Sequence, residues 1–173
     1  MTIAGKSYEA NEMIRPYQET DHDEVVAMIA ALRIFLAKLK SIERKLNLEA
    51  ADDELQSYLE KNFPVFVAEA PNNLAGYLVC KVEEDVVWAE SIFVRPEYRR
   101  QGIASALYIE AEKLVQELGG DTLYNWVHPN NNVSISFLKK RGYNILNLIE
   151  LRRPWKGEEL STKIPVGENE FDY

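Results

Sequence analysis

Three β-rich runs joined by two short turns place the strongest constraint on the fold of this chain. The runs cover Val65 to Ala70, Leu74 to Val82 and Val86 to Val94, and the residues between them, Pro71-Asn72-Asn73 and Glu83-Glu84-Asp85, supply turn chemistry. Connections of this length join neighbouring strands that run antiparallel. The middle of the chain therefore predicts an antiparallel meander.

Helical and extended patterns flank the meander. On its N-terminal side, apolar side chains recur at helical spacing behind a candidate N-cap, Thr20. The predicted elements there are a short strand at Glu12 to Tyr17, a helix from about Asp21 to Lys38 and a helix at Asp52 to Lys61. On the C-terminal side they are a helix at Gly102 to Leu118, a strand at Thr122 to Val127, a helix at Asn132 to Arg141 and a strand-like segment at Tyr143 to Leu151. This order predicts a mixed α/β (α+β) sheet flanked by helices.

The size and composition of the chain predict one globular domain. Its 173 residues are 46% hydrophobic and 28% charged, with no repeat and no linker-like tract, so we expect a single domain over residues 1–173. The last segment, residues 156–173, is acidic and poor in apolar side chains. We expect it to form a surface tail.

Charge and cysteine content exclude several classes of function. A formal charge of −8 argues against general nucleic-acid binding, which depends on basic side chains. Cys80 is the only cysteine, and His22 and His128 lie far apart, so neither a disulfide nor a metal site is expected. There is no apolar run of transmembrane length. We expect a cytoplasmic protein that binds no metal, nucleic acid or membrane.

The segment from Val94 to Ala104 lies between a predicted strand and a predicted helix and has the character of an anion site. The first turn of a helix leaves backbone amides without intrahelical partners, and the helix dipole favours negative charge there. Gly102 allows a close backbone approach, and three arginines, at 95, 99 and 100, can add charged contacts. The alternative is an ordinary strand-to-helix connection with solvated arginines.

In two places this sequence resembles the GCN5-related N-acetyltransferases, or GNAT proteins. Their phosphate loop reads Arg/Gln-x-x-Gly-x-Gly/Ala after Val-x-Pro, and the chain has Arg99-x-x-Gly102-x-Ala104 after Val94-x-Pro96. A second match is a helix and the residues after it, carried by Asn131, Ser134, Phe137, Gly142 and Tyr143. The resemblance is clear over residues 65–155.

The resemblance implies a GNAT fold that binds acetyl-CoA as co-substrate. The fourth and fifth strands of such a sheet splay apart to admit the pantetheine arm, which would meet the backbone of Phe93 and Val94 and the side chain of Asn131. Asn131 also suits a helix N-cap, and the two roles are compatible. The pyrophosphate would bind the loop that follows, formed by Arg99, Arg100, Gln101, Gly102, Ile103, Ala104 and Ser105.

Glu90 is the candidate general base. Acetyl transfer to an amine requires the amine to be neutral, because an ammonium has no lone pair, so a carboxylate near the thioester can accept the proton. Glu90 alternates with Trp88 and Ile92 on the strand that leads into the phosphate loop, which predicts that the three share one face. The alternative is a solvent-facing or salt-bridged strand residue.

The candidate general acid departs from the family pattern. Many GNAT proteins have a tyrosine where this chain has Leu138, which cannot donate a proton. Tyr143, and after it Tyr108, are the possible substitutes, although both also suit a core position. Cys80 reads as a small core residue rather than a nucleophile.

The sequence therefore predicts an N-acetyltransferase that moves an acetyl group from acetyl-CoA to an amine by direct attack in a ternary complex. The alternative is a non-catalytic acyl-CoA-binding sensor or interaction module with the same fold, which the leucine at 138 keeps open. The acceptor cannot be read from the mixed charges of residues 39–55. The terminal aromatics Phe171 and Tyr173 favour a homodimer.

Overall fold

The computed structural model describes residues 13–173 and divides the chain into two compact units, Met1–Ile135 and Ser136–Tyr173. Glu12, where the predicted first strand begins, lies outside the described residues. None of the helices in the described part of the chain has the length and apolar character that a membrane crossing requires.

The first unit contains a five-stranded mixed sheet, as the sequence predicts. Its strands are β1 (Ile14–Pro16), β2 (Val65–Glu69), β3 (Leu74–Glu83), β4 (Val86–Val94) and β5 (Leu123–Asn125), and they lie side by side in that order. The first four strands pair antiparallel, and β5 pairs parallel with β4. The meander of β2, β3 and β4 is therefore confirmed.

Helices pack on both faces of this sheet. They are α1 (His22–Leu39), α2 (Leu48–Glu60) and α3 (Ile103–Glu117), and a fourth helix, α4 (Asn132–Lys140), crosses into the second unit. The side chains of α1 and α2 form the main core with Tyr77 and Val79 of β3. Leu78 lies on the opposite face, because strand side chains alternate, and it is fully buried where α3 packs on β3 and β4.

Two helix starts differ from the sequence prediction. Asp21, not Thr20, occupies the N-cap of α1, and its carboxylate accepts a hydrogen bond from the Gln18 amide at 2.7 Å. The helix predicted from Asp52 begins at Leu48, since the Asn47 side chain accepts from the Ala50 amide at 2.9 Å.

The second unit adds a hairpin to the predicted tail and corrects one further prediction. The expected surface tail contains a hairpin of β6 (Lys163–Val166) and β7 (Asn169–Asp172), with Ile164 opposite Phe171. Gly167 makes the turn possible with its φ of 60°. The predicted strand at Tyr143 to Leu151 is not formed: no strand among residues 13–173 pairs with it, and β-rich composition without a partner does not make a strand.

Candidate functional site

The loop from β4 to α3 adopts the left-handed backbone conformation twice. Arg100 has a φ of 64° and Gly102, at the N-cap of α3, has a φ of 85°. The loop begins with a short 3-10 turn at Pro96–Tyr98. Glycine takes a positive φ without steric cost, which explains why it stands directly before the helix.

The backbone amides of residues 100–105 form a candidate anion site. The first intrahelical hydrogen bond of α3 runs from the Ala106 amide to the Gly102 carbonyl at 3.0 Å. Within residues 13–173 no acceptor takes the amides from Arg100 to Ser105. A run of unpartnered amides at the positive end of a helix can bind a phosphate.

The three arginines of this segment have different roles. Arg95 is committed elsewhere, because its guanidinium donates to the Leu74 carbonyl at 2.8 Å and pairs with Glu24 at 3.1 Å. Arg99 donates to the Val94 carbonyl at 2.9 Å and lies over the Phe93 ring. The exposed Arg100 side chain lies in the loop itself. Two of the three arginines thus stay near the unpartnered amides.

Beyond Ala89, β4 loses its parallel neighbour. The pairing with β5 covers only Val87 to Ala89, whereas β4 continues to Val94. No strand among residues 13–173 pairs with the last part of β4 on this side, so this part of β4 has an open edge. This is the divergence of the fourth and fifth strands that the fold implies.

The register shows which backbone groups reach that open edge. The Arg95 amide donates to a β3 carbonyl at 2.9 Å, and hydrogen-bonded pairs alternate along an antiparallel ladder. The backbone of Phe93 therefore pairs with β3, whereas the backbones of Ile92 and Val94 face the open edge. The family resemblance suggests the backbones of Phe93 and Val94 for the pantetheine arm and does not suggest that of Ile92. Which backbone groups face an edge depends on the register of the strands and not on residue type.

A β-bulge in β4 carries Glu90. Val79 of β3 pairs with Ser91 and Cys80 pairs with Ala89, so Glu90 is the extra residue on its strand. The bulge breaks the alternation that the sequence predicts. Trp88 pairs with Lys81 and Ile92 pairs with Leu78, and these two β3 positions lie on opposite faces. The prediction that Ile92 shares a face with Trp88 is wrong.

The Glu90 carboxylate has a buried oxygen that no neighbouring group in the described part of the chain satisfies. Its Oε2 atom is buried and has no hydrogen-bond partner within residues 13–173. Burial raises the pKa of this carboxyl, the positive charge of Lys81 lowers it and the negative charge of Glu54 raises it again. A carboxylate with a raised pKa and a free oxygen has greater proton affinity than a solvated one.

The second carboxylate of this region, Glu54 on α2, is already engaged. Arg33 of α1 pairs with it, and the Tyr58 hydroxyl donates to its Oε1 at 2.7 Å. Burial, followed by the hydrogen bond to Glu54, raises the pKa of Tyr58. Glu54 therefore contributes negative charge to the site, while Glu90 has the oxygen that can take a proton.

An aromatic cluster that the sequence pattern does not predict lies on β4, on β5 and on the residue that follows β5. The Trp88 ring centroid is 5.9 Å from that of Tyr124 and 6.2 Å from that of Trp126. The Lys81 ammonium lies 5.2 Å from the centroid of Trp88 and 5.3 Å from that of Trp126. The register of β3, β4 and β5 brings these four residues together, and no local motif signals it.

The remaining sequence candidates occupy structural positions. The buried Asn131 accepts a hydrogen bond from the Ser134 amide at 3.2 Å and so caps α4. The Tyr108 hydroxyl donates to the Asn125 side chain at 2.7 Å. Cys80 is buried, which raises the pKa of its thiol to about 12 and suits a core residue. No cluster of three metal-ligating side chains occurs in residues 13–173.

Leu138 and Tyr143 lie in the second unit. The Tyr143 amide donates to the Leu138 carbonyl at 3.0 Å, and the Gly142 amide donates to that of Lys139 at 3.1 Å. With a φ of 92° at Gly142, these bonds form a Schellman end to α4. The Gly-Tyr pair in the sequence is therefore a helix stop, and the role of Tyr143 as a proton donor stays a prediction.

The chain matches one family model and a curated relative. The model describes the acetyltransferase (GNAT) family and matches residues 32–143. A spermidine N(1)-acetyltransferase of Thermoplasma acidophilum is 30% identical over 78 residues, which are 45% of this chain and 48% of that protein. The match thus spans about half the length of this relative.

Solved structures share the fold at low sequence identity. The aminoglycoside N-acetyltransferase AAC(6')-Iy, in complex with a bisubstrate analogue, is 18% identical with a TM-score of 0.63, over 82% of this chain and 97% of that one. The PaiA N-acetyltransferase of Thermoplasma acidophilum, in complex with coenzyme A, is 20% identical with a TM-score of 0.63, over 74% of this chain and 86% of that one.

Proposed function

Since the chain belongs to the GNAT family of acetyltransferases, we propose that it transfers an acetyl group from acetyl-CoA to an amine by direct attack in a ternary complex. The observation that carries the mechanism is the bulge in β4, which presents an unpartnered carboxylate oxygen of Glu90. The same strand leads into the loop with the unpartnered amides of residues 100–105, which we call the anion loop. In this proposal the phosphate site and the proton acceptor belong to one continuous segment of the chain.

The residues of this segment fit coenzyme A. The unpartnered amides of residues 100–105 suit its pyrophosphate, with Arg99 and Arg100 adding positive charge. The open edge of β4 suits the amides of the pantetheine arm through the backbone of Ile92 and the Val94 amide, since Arg99 already donates to the Val94 carbonyl. Asn131, which the family resemblance assigns to pantetheine, would serve there in addition to capping α4. The acetyl-CoA itself supplies the acetyl group as an activated thioester.

Glu90 makes the acceptor reactive by removing a proton from its nitrogen. Most alkyl amines are protonated at neutral pH and have no lone pair with which to attack. Burial raises the pKa of Glu90 and so strengthens its attraction for a proton, while the positive charge of Lys81 offsets part of this rise. The residue can therefore be ionised before the amine arrives and protonated after it has attacked.

The chain does not need a dedicated acid at position 138. A free thiol has a pKa of about 8.5, so a thiolate is a tolerable leaving group near neutral pH. Leu138 is aliphatic and cannot protonate it, and the Tyr108 hydroxyl is held by Asn125. Tyr143 is the remaining candidate acid, which the pH dependence of turnover tests.

We propose a small amine as the acceptor. This agrees with relatives named for acetylating spermidine or aminoglycosides, both of which carry several amines. The expected homodimer and cytoplasmic location stay predictions. Nothing in the proposed chemistry requires a metal.

The test combines binding and turnover. Calorimetry should show that CoA binds more tightly than ATP, and free-thiol release from acetyl-CoA should depend on an added amine from a panel of mono-, di- and polyamines. Mass spectrometry should find the acetylated amine. Tight CoA binding with no turnover on any amine would favour the non-catalytic sensor, and equal binding of CoA and ATP would contradict the proposed cofactor site.

A further inference from the structure

Two indoles and a carboxylate hold one ammonium group beside the proposed catalytic strand. The Nζ atom of Lys81 lies 5.2 Å and 5.3 Å from the ring centroids of Trp88 and Trp126, and 2.9 Å from Oε1 of Glu83. Aromatic faces and carboxylates attract any ammonium, whether it belongs to a side chain or to a ligand. We call Lys81, Glu83, Trp88 and Trp126 the indole site.

The indole site is accessible from solvent. Trp126 is 67% exposed, although an indole gains more than most side chains from burial. It directly follows β5, where pairing with β4 has ended, so its ring is not covered by a further strand of the ladder. Glu83 is also exposed. A soluble cation can therefore reach both an aromatic face and the carboxylate.

The register places this site close to Glu90. Trp88 lies two positions before Glu90 on β4, and Tyr124 pairs with Trp88. Trp126 is two positions after Tyr124, and its ring is tilted by 41° to that of Trp88 with the centroids 6.2 Å apart. The positive charge of Lys81 lowers the pKa of the Glu90 carboxyl, so the two groups interact electrostatically.

We propose that the indole site binds a second, non-reacting ammonium of the acceptor, and that Lys81 is an internal occupant which the acceptor displaces. This inference rests on the proposed function and narrows its acceptor to amines with at least two cationic nitrogens. The displaced Lys81 exchanges two indoles and the Glu83 carboxylate for water, while the ammonium of the acceptor gains the same three partners. The carboxylates of the adjacent turn, Glu84 and Asp85, and a net charge of −8 attract such acceptors.

The first test removes the internal occupant. Lys81→Met keeps the apolar stem but not the charge, and Lys113→Met removes the same charge from α3, where Lys113 pairs with Glu110, as a matched control. In a Trp155→Phe background the remaining tryptophans, Trp88 and Trp126, report binding by fluorescence. With 1,4-diaminobutane as probe, Lys81→Met should bind about fivefold or more tightly than the parent, as expected from the strength of one cation–π contact. Butylamine should bind with little change.

A second comparison separates occupation of the indoles from the loss of a repelling charge. If the indoles hold the probe, Trp126→Ala in the Lys81→Met background should abolish the gain, as measured by calorimetry, and Trp126→Phe should retain much of it. The inference is overturned if Lys81→Met binds the diamine no better than Lys113→Met, or if the gain survives Trp126→Ala. Should Lys81→Met fail to fold, Lys81→Gln replaces it in the same comparison.

Failure of this inference is distinguishable from failure of the proposed function, because these binding measurements contain no acetyl-CoA. Tighter diamine binding in Lys81→Met without acetyl transfer would support the indole site and contradict the transferase. Acetylation of butylamine and 1,4-diaminobutane with equal kcat/KM, unchanged by Lys81→Met, would support the transferase and overturn the indole site.

Discussion

The Tyr77 hydroxyl and the Ser91 hydroxyl are hydrogen-bonded at 2.7 Å inside the sheet, and Ser91 directly follows the bulged Glu90. Tyr77 is fully buried and Ser91 is 5% exposed, so neither group has water as an alternative partner. The bond ties the bulged segment of β4 to β3. We infer that it holds the backbone of Glu90 in the conformation that presents the carboxylate.

Tyr77→Phe should lower both stability and turnover. The change leaves the Ser91 hydroxyl buried without its partner, which costs about 1–3 kcal/mol in the free energy of unfolding. Turnover should fall while CoA affinity stays the same, because the bulge and not the anion loop is disturbed. Denaturant unfolding and steady-state kinetics measure the two effects. The double variant Tyr77→Phe/Ser91→Ala should recover most of the stability, and an equal loss in both variants would contradict this account.

Glu90→Gln should lower turnover by roughly a hundredfold or more, the usual effect of losing a general base. CoA affinity should stay nearly constant, because the amides of residues 100–105 lie elsewhere on the segment. Steady-state kinetics with a saturating amine, together with calorimetry for CoA, make the comparison. Near-normal turnover of this variant would contradict the general-base role and indicate that Glu90 is an ordinary strand carboxylate.

The pH dependence of turnover should follow the raised pKa of Glu90. The carboxylate must be ionised to accept a proton, so turnover should rise with pH through a midpoint above the ordinary glutamate value and then level off. A bell-shaped profile in a stable enzyme would reveal a general acid such as Tyr143.

The same shift affects stability with a definite sign. Because the pKa is raised in the folded protein, the parent should lose stability as pH rises through that pKa, and Glu90→Gln should lack this loss. Thermal unfolding of both proteins across this pH range measures the difference. An identical pH dependence of Tm in parent and variant would argue against a buried, titrating Glu90.

Gly102→Val should weaken CoA binding by roughly 3 kcal/mol or more, the contribution of two or three charge-assisted hydrogen bonds. Gly102 has a φ of 85°, so a valine there also pays a backbone cost. Gly119→Val is the matched control, because Gly119 follows the other end of α3 with a φ of 80° and no atom within 4 Å of an added Cβ. Both variants should lose stability, but calorimetry should find weakened CoA binding only in Gly102→Val. Equal CoA affinity in the two variants would contradict the phosphate site.

Gly76→Ala should destabilise the sheet by about 1–3 kcal/mol, as expected when a packed interior is forced apart. A Cβ at Gly76 would lie 2.6 Å from the carbonyl oxygen of Phe93. β3 and β4 would have to separate at the C-terminal end of β4, where Gly76 pairs with Val94. Denaturant unfolding measures the cost, and an unchanged midpoint would show that the two strands can move apart freely.

The sequence was sufficient for the parts of the structure that depend on local patterns. The turns at residues 71–73 and 83–85 predict the meander, and the glycine before an apolar helix predicts the strand-to-helix loop that ends at Gly102. Each of these signals lies within a few residues of the feature it predicts. The family resemblance depends on the same short segments.

The features that local patterns could not supply depend on register. At the bulge, β3 pairs with Ala89 and Ser91 and skips Glu90 between them. No residue type in β4 predicts this irregularity. The indole site arises because the β3–β4 hairpin pairs Lys81 with Trp88 and because β5, much later in the chain, brings Trp126 beside them. The strand predicted at 143–151 fails for the converse reason, because a β-rich run needs a partner.

The central claim is that this chain uses Glu90 to activate an amine for acetyl transfer. The most direct test is the rate of free-thiol release from acetyl-CoA, measured with and without 1,4-diaminobutane, for the parent and for Glu90→Gln at equal cofactor saturation. The account predicts release that requires the amine, saturates with it and falls by roughly a hundredfold in the variant. Amine-independent release, or equal amine-dependent rates in parent and variant, would contradict it.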